Sequence, residues 1–418
     1  MDFSLPYTEE QEHFRKEVRE WLTQNVPSDL TDPVDPRDFT LDLNQRWREV
    51  HKALGSKGWL YPTFAKEYGG GGLTGDHETI ITEEMHRAGV PSNFTSDNTL
   101  PPMMVWGTEE QLEKFLKPVI RGEKTVWNKL TEPNGGADLA NVQGTATRDG
   151  DDWLLTGEHV YVSGRGKPGF LLGPMKTDPD APRHRNLGYF IIPVPDWDPQ
   201  TGATGLDGLT IKEMNLINGH DQHNIVLNEV RIPGDHLFGG ENQGWQVAGT
   251  TMESEHGGRG KAFPIDTTIN NLINYSLAGA DKDTKGTITN PILHQTAMDA
   301  VIESHVQGLL LKRVYWMYQN RSEISWQSGV ANVHGRESSL RIEKKVRDVY
   351  GPYSLLNSHD PEAPHKGMQE VNHRNRAGQN HAGGSTNIGK VVLARRIGIS
   401  RTQERPAPTP ATATTKGA

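Results

Sequence analysis

The residues best suited to chemistry lie between Asn128 and Ser163. The stretch opens Asn128-Lys129-Leu130-Thr131-Glu132-Pro133-Asn134-Gly135-Gly136-Ala137-Asp138 and closes His159-Val160-Tyr161-Val162-Ser163. Pro133 and the Gly135-Gly136 pair stop any helix here. The glycines let the backbone approach something flat or anionic. Thr131 offers a hydroxyl and an N–H at one end; Tyr161 offers a ring and Ser163 a hydroxyl at the other. Strands joined by tight turns can bring these ends together. The edge so formed carries donors for a conjugated ring. The same residues also read as a Gly-rich turn leading into a hairpin.

Composition narrows the choice. The chain has 418 residues, enough for two or three domains and a substantial core. Its 44 basic and 53 acidic side chains are interspersed and give a net charge of −9, which argues for solubility and against a nucleic-acid surface. No apolar run is long enough to span a bilayer, and Met1-Asp2-Phe3-Ser4-Leu5-Pro6 lacks the basic and apolar regions of a signal peptide. There is no cysteine, so thiolate catalysis, disulfides and Cys-ligated metal are excluded. That fits a cytoplasmic protein. The 17 histidines show no HExxH-type spacing, and His294, His305 and His334 are too far apart in sequence to mark a metal site.

The elements that must position the stretch follow in order. Up to about Glu123 the chain reads as helices, with capping boxes at Thr8-Glu9-Glu10-Gln11 and Thr108-Glu109-Glu110-Gln111. Phe14, Val18, Trp21 and Leu22 share one helical face, as do Trp47, Val50, His51 and Leu54. The Gly69–Gly72 run is either a ligand-bordering loop or a mobile turn. Strands are expected at Val142–Thr147, Trp153–Leu155, Val160–Val162, Phe170–Leu172, Tyr189–Val194 and Ile225–Ile232, with Pro195–Gly208 a loop. Helices return after Glu241: a long run through Val301 and Trp316, another over Arg341–Tyr350, and a last one over Ile388–Ile397. Asn357–Asn380 reads as polar and irregular, and the Pro/Thr/Ala-rich end from Glu404 as disordered. The order is that of an α+β protein: a helical domain over 1–124, a β-domain over 125–239, a helical bundle over 240–403 and a tail over 404–418.

In that frame the motifs resemble those of the acyl-CoA dehydrogenases. The likeness is carried by Leu130-Thr131-Glu132-Pro133-x-x-Gly136-x-Asp138, by Gly157-x-x-x-Tyr161-x-Ser163, and by Glu229-Val230-Arg231-Ile232-Pro233 with Leu237, Gly240 and Gly244-Trp245. Gly383-Gly384-Ser385-Thr386-Asn387-Ile388 and Val349-Tyr350-Gly351-Pro352-Tyr353 continue it, from about Phe3 to Ser400. The resemblance implies a middle β-barrel-like domain and a C-terminal four-helix bundle. It implies FAD as cofactor, an acyl-CoA substrate, and an electron-transfer flavoprotein as acceptor. Leu130 and Thr131 would face the pyrimidine side of the flavin, and Tyr161 and Ser163 the other side. Ser385 and Asn387 would approach the phosphates or ribityl chain, and Gln295 the FAD of a neighbouring subunit. The assembly implied is a homodimer or homotetramer, with a heteromer as the alternative because some relatives pair unlike chains.

The family reaction takes a proton from C2 of the acyl group and a hydride from C3. The base therefore has to be found. One group of the family carries it in a Glu-Gly pair, but Gly383-Gly384 stands there in this chain. A second group places it on a bundle helix, and Glu255, eleven positions after Gly244, matches that glutamate. Burial beside substrate and flavin raises such a carboxylate toward the range of a general base. Glu253 would point about 160° away on the same helix. The backbone N–H of Gly384 would help polarise the thioester carbonyl. Ala137, Glu253, His256, Gly383 and Gly384 complete the expected substrate surroundings. Four departures stand out: Ala137 for serine or threonine, Tyr161 for tryptophan, His256 for arginine, and Lys285 near a missing FAD-clasping arginine. They leave open a non-catalytic partner subunit, or an oxidase or desulfinase reaction on the same fold.

Overall fold

The computed structural model describes residues 7–32, 34–90, 99–256, 266–278, 290–320, 322–378 and 385–400, with the backbone alone at 220, 253–256, 278, 319 and 377. Among the described residues six α-helices come first: α1 (Glu9–Asn25), α2 (Leu41–Ser56), α3 (Gly75–Arg87), α4 (Leu100–Trp106), α5 (Glu109–Gln111) and α6 (Lys117–Ile120), the last two joined through a π-helical turn. Both capping boxes form, at Thr8 and Thr108, each satisfying two otherwise orphaned N–H groups. The periodic apolar faces meet as expected. Val18 and Leu22 of α1 pack with Trp47, Val50 and Leu54 of α2.

Next comes a sheet of β1 (Val126–Asn128), β2 (Thr145–Asp149), β3 (Asp152–Ser163), β4 (Phe170–Lys176), β5 (Leu187–Pro193), β6 (Leu209–Leu216), β7 (Gly219–Pro233) and β8 (Leu237–Phe238). Its order is β6-β7-β3-β2-β4-β5-β8, with β1 beside β4. This path is open, so the expected barrel-like domain is a sheet that does not close. The two short runs expected at Trp153–Leu155 and Val160–Val162 are one twelve-residue strand, β3. Its interior is interrupted by bulges rather than by a turn: the pairing with β7 shifts between Leu155 and Gly157 and again between His159 and Val162.

The remaining helices are α7 (Gly244–His256), α8 (Thr267–Ala278), α9 (Pro291–Gln319), α10 (Gln327–Tyr350), α11 (Met368–Gly378) and α12 (Thr386–Arg396). Here α9 and α10 pair lengthwise, with α8, α11 and α12 against them. The segment expected to be irregular contains α11. Its polar sequence hides a helix because α11 is held by ion pairs: Arg374 is buried and binds Asp35 at 2.6 Å, Glu370 at 2.7 Å and the Ile217 carbonyl at 3.0 Å. That one guanidinium ties the N-terminal part, the β6–β7 turn and the last helices together. A second tie runs from Tyr315 of α9 to Asp76 and Thr79 of α3.

The Gly69–Gly72 run is packed against its own domain. The N–H of Gly72 donates to the Phe64 carbonyl at 2.8 Å, and a Cβ at Gly70 would sit 2.3 Å from the Phe64 carbonyl oxygen. Backbone cannot rotate out of the way as a side chain can. Gly70→Ala is therefore expected to destabilise the chain by roughly 1–3 kcal/mol, read as a lowered urea midpoint.

Candidate functional site

The stretch singled out first folds into a cleft. After β1 the chain turns tightly: the Gly135 N–H donates to the Glu132 carbonyl at 3.1 Å, and the two residues form an isolated bridge. The Val160 N–H of β3 donates to the Thr131 carbonyl at 2.9 Å, which ties the turn to the strand. The result is an open cleft of about 620 Å³, lined by the turn from Thr131 to Gly136, by Val160 and Tyr161 of β3, and by Met214 of β6.

Three features suit this cleft to a flat ring. A Cβ added at Gly135 or Gly136 would meet no protein atom, so both glycines keep the cleft wall bare. Tyr161 holds a left-handed φ of 56° at the second β3 bulge. That conformation costs an aromatic residue roughly 1–3 kcal/mol. It throws the ring outward at the lip of the cleft, where it stays 57 % exposed. Finally, the turn is braced from behind. Glu132 is buried, and its carboxylate accepts the N–H groups of Gln143 at 2.6 Å and Gly144 at 2.7 Å. Glu132 is thus a structural residue of the motif, holding the following loop against the cleft turn.

Of the residues expected to contact a cofactor, Thr131 and Tyr161 line the cleft, and Leu130, half-buried, precedes it. Ser163 lies at the end of β3, its hydroxyl accepting from Gln222 at 2.8 Å. Ala137 is exposed just beyond the lining turn. Gln295 stands exposed in the first turns of α9, its amide donating to Asp299 at 2.9 Å within the helix. Ser385 caps α12 by accepting the Ile388 N–H at 3.2 Å, and Asn387 is exposed in the first turn of that helix. A helix N-terminus of this kind favours phosphate. Gly383, Gly384 and Lys285 lie outside the described residues, as do the side chains of Glu253, Glu255 and His256.

The backbone of Glu253, Glu255 and His256 belongs to α7, and α7 is firmly placed. It packs on α4, β4 and β5 and touches α10. Val247 and Ala248 enter a core with Leu100, Met103, Tyr189 and Phe238. Thr250 accepts from the Trp106 indole at 3.0 Å, and Thr251 meets the Tyr189 hydroxyl at 3.2 Å. The helix expected to carry the base is thus seated between the sheet and the helices on both sides of it.

Met214 is not among the expected site residues; it enters the cleft from β6, a strand whose signal in the sequence is the short Leu209-Thr210-Ile211-Lys212 alternation. Sequence reasoning also gave no role to Lys129 and His159, which are fully buried behind the cleft. A lysine inside an otherwise strand-like run was the available signal.

Comparison with known proteins agrees with this architecture. Residues 8–123 match the family described as acyl-CoA dehydrogenase, N-terminal domain. The chain is 25% identical over 400 residues to acyl-CoA dehydrogenase FadE26 of Mycobacterium tuberculosis, covering 93% of this chain and 96% of that one. Among solved structures it is similar to the Tcur3481-Tcur3483 steroid ACAD (TM-score 0.82, 24% identity, 97% of this chain and 100% of that chain). It is similar also to the ChsE4-ChsE5 complex from Mycobacterium tuberculosis (TM-score 0.80, 24% identity, 96% and 100%). Helices, an open sheet with a glycine-walled cleft, and helices again thus form a chain whose residues 8–123 match the acyl-CoA dehydrogenase N-terminal domain and which is similar over nearly its whole length to proteins named acyl-CoA dehydrogenase.

Proposed function

We propose that this chain binds FAD in the cleft and converts an acyl-CoA thioester to the trans-2-enoyl-CoA, with Glu255 as general base. The observation that carries the reading is the bare glycine wall at Gly135 and Gly136, which shares one cleft with the outward ring of Tyr161. Bound there, the flavin would supply the hydride acceptor. The chain's own part is to orient and to move a proton. Thr131 and Leu130 hold one side of the ring, and Tyr161 and Ser163 the other. Glu255, on a helix seated against the sheet, takes the C2 proton of the substrate. Gly384 supplies an N–H to the thioester oxygen. Glu253, His256, Ala137 and Gly383 surround the acyl-CoA, while Ser385 and Asn387 meet the FAD phosphates or ribityl chain.

The domain division at 124 and 239, a cytoplasmic site of action and an electron-transfer flavoprotein as acceptor belong to the same reading. Among the described residues no helix is long and apolar enough to cross a membrane. Met298, Ile302, Val306 and Leu309 form an exposed apolar stripe along α9, which supports a homodimer or homotetramer in which Gln295 of that helix reaches a second subunit's FAD. A second reading has a specific support. The chain lacks the FAD-clasping arginine, and a similar structure is a complex of ChsE4 with ChsE5, so a heteromer in which an unlike subunit completes the site is the alternative.

Flavin absorbance of the purified chain, followed by a screen of acyl-CoAs with an artificial electron acceptor, tests the main reading. A colourless chain would sink it. One variant probes the cleft itself. Gly136→Val adds a side chain where no protein atom stands. Its stability should stay within about 0.5 kcal/mol of wild type. FAD retention should fall about tenfold, the equivalent of 1.4 kcal/mol. Equal retention by both proteins would place the ring elsewhere.

A further inference from the structure

A polar pair that the proposed reaction does not use lies directly behind the cleft. Lys129 is fully buried, and its ammonium reaches Met175 Sδ at 3.0 Å, the Pro174 carbonyl at 3.3 Å and His159 Nε2 at 3.4 Å. Three donors thus find three acceptors, none of them charged. His159 is fully buried as well, and its Nδ1 has no hydrogen-bond partner. The charged group nearest in the turn is Glu132, whose two oxygens are taken by the Gln143 and Gly144 N–H groups. Burial pushes Lys129 down to about 7, against the raising influence of Glu132. Burial and then the charge of Lys129 push His159 well below its ordinary range, so the imidazole stays neutral and accepts from the ammonium.

The pair adjoins the cleft wall through the backbone. His159 precedes Val160, whose N–H holds the Thr131 carbonyl, and Lys129 stands two residues before Thr131. A buried ammonium without a counterion costs several kcal/mol, and an apolar side chain of the same length would be cheaper here. Packing therefore does not account for it.

We propose that Lys129, oriented by His159, is a tuning residue for the ring in the cleft, its positive charge favouring the reduced ring over the oxidised one. The inference rests on the flavin reading above. In the reaction C3 gives up a hydride, two electrons with one proton, while C2 gives its proton to the base. The ring thus gains one negative charge, and a cation fixed behind it in a poorly screened interior stabilises that charge. The sign follows from the titration. The charge is present below about pH 7 and fades as the amine deprotonates above it. The groups facing Lys129 are His159 from β3, Met175 and the Pro174 carbonyl from β4, and Glu132 from the turn.

The test compares the FAD-loaded full chain with its Lys129→Met variant, by equilibration with a reference dye at about pH 6 and pH 9. At pH 6 the variant's preference for reduced over oxidised cofactor should fall about tenfold, a downward shift of about 30 mV for a two-electron couple. At pH 9 the two proteins should agree within about twofold. The same shift at both pH values, or none at pH 6, overturns the inference while leaving the flavin reading intact. A wild-type chain that takes up no FAD overturns both. Should the variant fail to fold, NMR of lysine-labelled wild type decides: one amine titrating near neutrality supports the inference, and the absence of any that titrates below about pH 9 overturns it.

Discussion

Glu255→Gln should lower turnover of any accepted acyl-CoA by roughly a thousandfold, within the range found for removal of a general base. The flavin spectrum of the variant should match that of the wild type. The amide keeps the size and hydrogen-bonding shape of the carboxylate but cannot take the C2 proton. The change should therefore fall on kcat, with KM little altered. Placement of the helix supports the choice: α7 packs on β4 and β5 and is anchored at Val247, Ala248, Thr250 and Thr251, one turn before Glu255. Glu253→Gln is the contrast: about 160° of helix rotation separates the two side chains, so a residue that only borders the substrate should raise KM and leave kcat largely in place. Full activity in Glu255→Gln would move the base elsewhere. Equal loss in both variants would point to a disturbed helix.

Asp35→Ala is expected to destabilise the chain by about 3 kcal/mol, because it removes a buried partner from the buried guanidinium of Arg374. Asp35 and Arg374 meet at 2.6 Å with both side chains almost wholly enclosed. Burial disfavours the Asp35 carboxylate, but hydrogen bonds from Arg37 and from Arg374 outweigh it and hold Asp35 down to about 2. The folded value lies below the ordinary 3.8 of the unfolded chain. The contribution is thus complete above about pH 4 and drains away as pH falls toward 2. The linked stability is roughly 2 kcal/mol. Urea midpoints measured from pH 5 down to pH 2 should show this loss in the wild type and a flatter profile in the variant. Parallel profiles would show that Asp35 is not the titrating group.

The two cases differ in how legible they were. Glu255 stood in a motif whose spacing from Gly244 can be counted along the chain. Asp35 and Arg374 are separated by 339 positions, and nothing local marks either as buried. The same contrast holds inside the cleft. Gly135, Gly136, Thr131 and Tyr161 announced themselves by residue type, since glycine and proline constrain the backbone wherever they occur. The left-handed φ of Tyr161 did not, because it arises from a register shift of β3 against β7. Met214 enters from another strand, and α11 escaped notice because its stability lies in ion pairs made with distant elements.

By itself, then, the sequence determined the order of helices, strands and helices, both capping boxes, the glycine-walled turn and the helix that carries the candidate base. These depend on propensity, periodicity and backbone constraint, which act over a few residues. Tertiary structure alone decided that the sheet stays open, that Tyr161 is turned out at a bulge, that Glu132 braces the turn, and that Lys129 and His159 lie buried together behind it. Those outcomes depend on which distant groups share one low-dielectric interior, and that is settled only when the strands pair and the helices close over them.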